Sequence, residues 1–333
     1  MILELLIPIL IGTYGDNSYK ADFDPKTRTI TNLVAFPAKD ASFIIEDDDY
    51  FYAVSENDTP GAYIFDKDLQ ELSYAGGVGE SPCNILKIED APYLLTSDYG
   101  SGTISVLKIE DGNLSLDRKI QFEGSGPVAS QQEHSRIHQV RSIGRGWYLA
   151  ADLGADTIHI LKAGEDGVPV LHSDLKLPAG SGPRHMAIGR NGKWVYCVSE
   201  ISKEVFSIRL RWKKGVPSLT LRGAEKADIS TVSGGADIHI EGRWLYASMR
   251  NDHDGIARFR IRRNGLVRLK DYTRTFDHPR NFAITPDGKS MIVACMNSKC
   301  VQVFKIGRNG KLVDMDNPVR FDGERPVCVH IMD

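Results

Sequence analysis

The sequence predicts an all-β fold, a seven-bladed β-propeller built from four-stranded antiparallel blades. Three observations predict it. A strand–turn–strand unit recurs along the chain, it recurs at a propeller's period, and the two chain ends complement each other. The unit is clearest in GPRHMAIGRNGKWVYCVSE, from Gly182 to Glu200. Two apolar runs flank an Arg-Asn-Gly-Lys turn, and Asn and Gly tolerate the positive φ that a tight hairpin needs. In an antiparallel pair the start of one strand and the end of the next share an edge, so Arg184 and Glu200 are expected side by side.

The unit recurs as ASFIIEDDDYFYAVSENDTPGAYIFDK from Ala41 and PCNILKIEDAPYLLTSDYGSGTISVLKI from Pro82. It recurs again from Ile137, Gly235 and Pro279, and the copy quoted first starts at Pro183. Each copy reads as three apolar strands, followed by a more variable fourth such as NLSLDRKIQF or SLTLRGAEKADI. The starts lie roughly 40 to 55 residues apart, the spacing of four-stranded propeller blades. A seventh blade is assembled from both ends: RPVCVHIM supplies one strand, and LIPILIGTY with the segments to about Phe36 supplies the rest. Joining the ends closes the ring and leaves no free sheet edge. The whole chain, 1–333, reads as this one domain. Helix is expected to be scarce, because no long stretch carries a 3.6-residue period.

Composition excludes several classes. The chain has 333 residues, 41% of them hydrophobic, and a formal net charge of -3, so neither nucleic acid nor an anionic membrane is expected as a partner. The local run RLRWKK, Arg209 to Lys214, reads as a solvated strand end. Five cysteines without a CxxC argue against both a disulfide framework and a thiolate zinc site, and they suit the cytoplasm. The apolar start MILELLIPILIGTYG is interrupted by Glu4 and Pro8 and is too short to span a bilayer; IPILIGTY reads as a buried strand. No GxSxG elbow, P-loop or GxGxxG occurs. EHSRIHQ, Glu133 to Gln139, lacks the order of a zinc helix and reads as a loop before a strand. DHDG, Asp252 to Gly255, reads as a polar turn. The residues call for no cofactor and no metal, and the closed ring is expected to be a monomer.

In a propeller the first strand of each blade lines the central channel, and its start meets the end of the second strand at one mouth. First-strand starts carry His138, Arg184, His185 and Arg280; second-strand ends carry Glu56, Asp98, Asp152, Glu200, Arg250 and Asn297. Asp and Asn at such ends often only make turns. Arg is a poor turn former, so His138, Arg184, Glu200 and Arg250 stand out as a mixed-charge cluster able to hold an anion and move a proton. Arg280, Glu56, Asp152 and Asn297 are the expected substrate-binding residues around them. His185 is expected to point away from its neighbour Arg184, because successive strand residues alternate faces.

GPRHMAIGRNGKWVYCVSE, HQVRSIGRGWYLAADLGADTIHIL, YASMRNDHDGIARFRI, PRNFAITPDGKSMIVACMNSKCVQVF and the opening IGTYGDN together resemble the lactonase family of seven-bladed propellers. The resemblance covers nearly the whole chain. It implies hydrolysis of a small anionic sugar lactone, foremost 6-phospho-D-glucono-1,5-lactone to 6-phosphogluconate in the pentose phosphate pathway, with His138, Arg184, Glu200 and Arg250 forming the site. The chain departs from the family at His134-Ser-Arg-Ile-His138 and in the RNDHDG loop, which bears on the substrate more than on the fold. Lactone hydrolysis needs an activated water, a polarised carbonyl and a protonated leaving oxygen. Either Glu200 or His138 is the base and the other the acid, and Arg184 and Arg250 grip the oxyanion or a phosphate. A Glu paired with Arg stays ionised and is a weak base, which favours His138. Two other readings use the same fold: a muconate-type lactonizing or cycloisomerase enzyme, and a non-catalytic binding propeller.

Overall fold

Seven antiparallel sheets follow one another around a ring in the computed structural model, which describes residues 6–227 and 234–332. Each sheet runs outward in chain order from a channel-lining first strand. Those strands are Ala41–Glu46, Pro82–Lys87, Ile137–Gly144, Pro183–Ile188, Gly235–Glu241, Pro279–Ile284 and Arg325–Ile331. The blades starting at Ala41, Pro82, Ile137, Pro183, Gly235 and Pro279 are called 2 to 7. Blade 1 is shared between the ends: Arg325–Ile331 pairs with Ile7–Tyr14, in register from Ile9 opposite Ile331 to Tyr14 opposite Arg325. The split blade and the ring closure expected from the sequence are both observed. Asp228 and Ile229, read as the end of a fourth strand, lie outside the described residues, as does the start Met1 to Leu5.

Burial alternates down the outer strands because only one face of each meets the next blade. Val216–Lys226 shows this over its whole length. Second and third strands are buried on both faces, which is why they read as continuous apolar runs such as WVYCVS. Seven apolar clusters fill the seven gaps between consecutive blades. Between blades 5 and 6, for example, Tyr196 and Val198 pack with Leu245, Ala247 and Phe259. A cluster also joins blade 7 to blade 1, where Ile292, Ala294 and Val301 meet Ile9, Ile11 and Phe23. The ring is therefore apolar-sealed all the way round.

The one helix among the described residues is the single turn Ala129–Gln132. Glu133 to Arg136 form the loop expected before the strand, which takes in Ile137 to Gln139, and the residues before Gly255 form a turn. All five cysteines are buried and unpaired. No helix is long and apolar enough to cross a membrane, and no cluster of metal-ligating side chains occurs among the described residues.

A bulge repeated in every blade sets up the channel. Each first strand carries one residue more than its partner near its start, as between Pro183 and His185, where two residues face the one step from Ser199 to Val198. The same shift occurs in the other six blades. An extra residue in a strand re-aims side chains that strict alternation would send to opposite faces. Two successive residues of each first strand thus serve the channel in stacked layers. The upper layer includes Cys83, His138, Arg184 and Arg280. The layer beneath it includes Phe43, Gln139, His185, Asp237 and Asn281. The lower layer ties the blades together: Gln139 accepts from Met186 N at 2.7 Å, Asp237 from Phe282 N at 3.2 Å, and Asn281 from Val329 N at 2.8 Å.

Candidate active site

The mouth is built from the upper layer and from the residue that follows each second strand. A repeated backbone bond fixes that residue. Its N–H donates to the carbonyl of the residue preceding the first strand: Glu56 to Asp40, Tyr99 to Ser81, Glu200 to Gly182, Arg250 to Gly234 and Met296 to His278. At Gly182 the chain needs glycine, because φ is +64° and an added Cβ would lie 2.7 Å from Ile201. Gly182 O then receives Glu200 N at 2.8 Å, which puts the Glu200 side chain beside Arg184.

Glu200 is the centre of the cluster. Its Oε2 accepts from Arg184 Nε at 2.9 Å and from Arg250 Nη2 at 2.7 Å, while Oε1 accepts from Gln131 Nε2 at 3.1 Å. Burial alone would raise its carboxyl, but Arg250, Arg184 and Arg280 outweigh burial and hold it below the ordinary range. Glu200 is therefore an anion with its lone pairs committed. Arg184 is fully buried and also donates to Ala236 O at 2.6 Å. Burial and the neighbouring Arg250 bring its pKa down to about 10, against the pull of Glu200, so it stays a cation at neutral pH. Arg250 reaches Gly235 O at 3.3 Å as well.

A second clamp stands across the mouth. Arg280 Nη2 lies 3.1 and 2.8 Å from the two oxygens of Glu56, and its guanidinium sits 5.2 Å from the Tyr14 ring centre. Arg325 covers the same ring at 5.5 Å. Burial raises the Tyr14 hydroxyl well above its ordinary value, so it stays protonated. The two clamps hold three guanidiniums against two carboxylates, leaving the mouth a net positive charge.

His138 supplies the titratable group. It is buried, and burial with the nearby Arg184, His185 and Arg280 holds its pKa well below the usual imidazole value. It is thus neutral at physiological pH, with a lone pair to accept a proton. Tyr99 packs on one side at 5.6 Å between ring centres and His185 on another at 5.2 Å. Cys83 Sγ lies 3.5 Å from its Nδ1. Burial pushes the Cys83 thiol up, so it is not a thiolate.

The structure brings six of the eight sequence-derived residues to the mouth: His138, Arg184, Glu200, Arg250, Arg280 and Glu56. It does not bring Asp152 or Asn297 there. Asp152 pairs with Ile137 in register, the position that Ser199 holds opposite Pro183 in blade 5. It lies one residue short of the mouth position, and one step along a strand reverses the face. Its carboxylate is spent inside the blade on Ser135, Arg136 N, Ala155 N and His159. Asn297 lies beyond Met296, exposed in a turn, with its amide 3.5 Å from Asp277. His185, expected to face away, meets Phe43 across the channel and His138 beside it, because the bulge at Arg184 cancels the alternation.

Two mouth residues, Tyr99 and His278, escaped the sequence reading. Tyr99 occupies the Glu200 position of blade 3, one past Asp98. Tyr14 holds it in the split blade. His278, in DHPRN, takes the place of Gly182 in GPRH; burial and the nearby Arg250, Arg280, Arg184 and Arg325 lower its pKa to about 3. Aligning the blades on the prolines of GPRH and HPRN would have found it.

Fold and site together define a closed seven-bladed propeller whose channel mouth presents a neutral imidazole among guanidiniums. The chain belongs to the lactonase family: residues 8–331 match the family described as lactonase, 7-bladed beta-propeller. It is 32% identical over 258 residues to a 6-phosphogluconolactonase of Formosa agariphila, covering 72% of this chain and 70% of that one. It is 25% identical over 337 residues to the 6-phosphogluconolactonase of Bacillus subtilis, covering 96% and 95%. Among solved structures, a candidate 6-phosphogluconolactonase from Bacteroides fragilis superposes with a TM-score of 0.90 at 30% identity, covering 100% of this chain and 99% of that one.

Proposed function

We propose that this protein hydrolyses a sugar lactone at the channel mouth, with 6-phospho-D-glucono-1,5-lactone as substrate and 6-phosphogluconate as product. The observation that carries the reading is the juxtaposition of neutral His138 with guanidiniums that outnumber their carboxylates. The names of the Formosa and Bacillus relatives support the substrate.

His138 takes a proton from a water as the water oxygen attacks the lactone carbonyl carbon. The carbonyl electron pair moves onto oxygen, where a preorganised guanidinium stabilises the oxyanion. Collapse breaks the ring carbon–oxygen bond, and the imidazolium returns its proton to the leaving oxygen. Glu200 is a positioning residue here: it fixes Arg184 and Arg250 and does not touch the reacting atoms. Arg280 grips the phosphate, a planar donor on an anion. The unpaired cysteines support a reducing compartment, the cytoplasm, although a periplasmic gluconolactonase of Pseudomonas aeruginosa shares the fold.

The test compares kcat/KM for the phosphorylated lactone and for glucono-1,5-lactone in wild type and Arg280→Gln. The expected result is a preference of about tenfold or more for the phosphorylated substrate, lost in the variant. Equal kcat/KM for the two lactones in wild type would remove the phosphate from the reading.

A further inference from the structure

The channel has a second opening, on the face opposite the mouth. Two residues below the His185 layer, alternation brings a third set of first-strand side chains to the channel, including Ile45, Arg141, His239, Ala283 and His330. They line a cavity of about 320 Å³ whose other walls include Phe43, Met186 and Phe282. Ligand sites are usually such apolar hollows with a few fixed polar groups.

The polar groups there have one sign to spare. Asp237 is fully committed: Oδ1 accepts from His185 Nδ1 at 2.9 Å and Ile238 N at 2.9 Å, and Oδ2 from Asn281 at 2.7 Å and Phe282 N at 3.2 Å. The same Oδ2 holds His239 Nε2 at 3.0 Å. Glu46 is shared between Lys67 at 3.1 Å and His330 Nε2 at 3.0 Å. His239 and His330 each keep Nδ1 free of a hydrogen bond to any described residue. The Arg141 guanidinium makes no hydrogen bond or ion pair with any described residue. A guanidinium is a fork of donors with no acceptor of its own, and here it stands exposed at the rim of a cavity with both apolar and polar walls, where Asp237 and Glu46 are already spent.

We propose that this second opening binds a small organic carboxylate, its charged end on Arg141 and its apolar body against Phe43 and Ile45. The pairing follows from shape: a carboxylate matches the guanidinium fork bidentately, and the apolar walls disfavour a fully hydrated ion. The site stands apart from the lactone chemistry, since Arg141 and Ala283 take no part in the mouth.

The test is calorimetric titration of benzoate into the full chain: wild type, Arg141→Gln, Ala283→Leu and Arg184→Leu. The expected result is binding to wild type, weakened about tenfold or more in Arg141→Gln. Ala283→Leu fills the cavity without touching a charge and is expected to weaken binding as well. Both variants are expected to keep the wild-type Tm and the wild-type lactone rate. Arg184→Leu, which alters the opposite mouth, is expected to bind benzoate as wild type does. Inorganic phosphate, which has charge and no apolar body, is expected to compete poorly. Absence of benzoate binding in wild type, unchanged binding in both far-side variants, loss of binding in Arg184→Leu alone, or equal competition by phosphate would each overturn the proposal.

Discussion

Replacing Glu200 with glutamine tests the clamp at the mouth. The amide keeps the shape of the side chain and removes its charge. Oε2 now accepts from Arg184 at 2.9 Å and from Arg250 at 2.7 Å. The amide oxygen still accepts from both cations, so the hydrogen bonds stay charge-assisted and what is lost is the ion pairing. Two nearly buried guanidiniums lose the anion between them, and breaking a buried pair costs about 3–5 kcal/mol. The expected loss is near the lower end, about 3 kcal/mol. With an unfolding entropy of about 2.1 cal/mol/K per residue over 333 residues, Tm falls by about 4 °C in scanning calorimetry. The carboxyl is held below its unfolded value of about 4.3, so its contribution is complete above that pH and disappears as pH falls through the folded pKa. The Tm gap between wild type and Glu200→Gln should therefore close in acid. kcat/KM falls about 100-fold as the two guanidiniums lose their fixed placement, while the acid limb of the pH–rate profile persists because His138 takes the proton. Wild-type Tm together with wild-type kcat/KM in the variant would refute the clamp. An unchanged Tm and KM with kcat alone abolished would make Glu200 the base.

His138→Asn is expected to keep the wild-type fold, read by circular dichroism, and to lose about 10²–10⁴ in kcat; a variant within a few-fold of wild type would exclude His138 as the base. His185, brought to a pKa of about 4 by burial and Arg184, makes stability fall in acid. Below about pH 6.5 the unfolded chain binds protons that the folded chain refuses. Near pH 5 this amounts to about 2 kcal/mol, so urea unfolding of His185→Gln should show that much less loss between neutral pH and pH 5 than wild type shows. Asp152→Asn is expected to lower stability by about 2 kcal/mol while leaving KM unchanged, and Asn297→Ala to change stability by less than about 0.5 kcal/mol. A raised KM in either variant would return that residue to the site.

The ring was legible because each blade repeats a hairpin whose apolar runs must pair, and because RPVCVHIM and IPILIGTY are each incomplete alone. The Arg184–Glu200–Arg250 cluster was legible because charged residues at both ends of one hairpin share an edge whatever the details of register. The bulge was not legible. It is a backbone shift with no residue signature of its own, carried by Ser42 in one blade and Arg184 in another. Missing it sent His185 to the wrong face, while Asp152 and Asn297 stood for positions that Leu153 and Met296 hold because a polar turn residue adjoins each of those apolar ones. Polar strand ends compound the difficulty, since Asp152 fastening a turn and Glu200 fastening two arginines look alike in sequence. The far opening went unseen for the same reason, because Arg141, His239 and His330 share a layer only once the register of three blades is known.

Lactone hydrolysis at a guanidinium-lined mouth can be read directly. The most direct measurement is proton release from freshly generated 6-phosphogluconolactone with wild type, with Arg184→Leu and without enzyme. Wild type is expected to accelerate the release strongly, and the variant to lose about 10²-fold or more of that acceleration. A wild-type trace that superimposes on the uncatalysed one, or an Arg184→Leu trace equal to wild type, would contradict hydrolysis at this mouth.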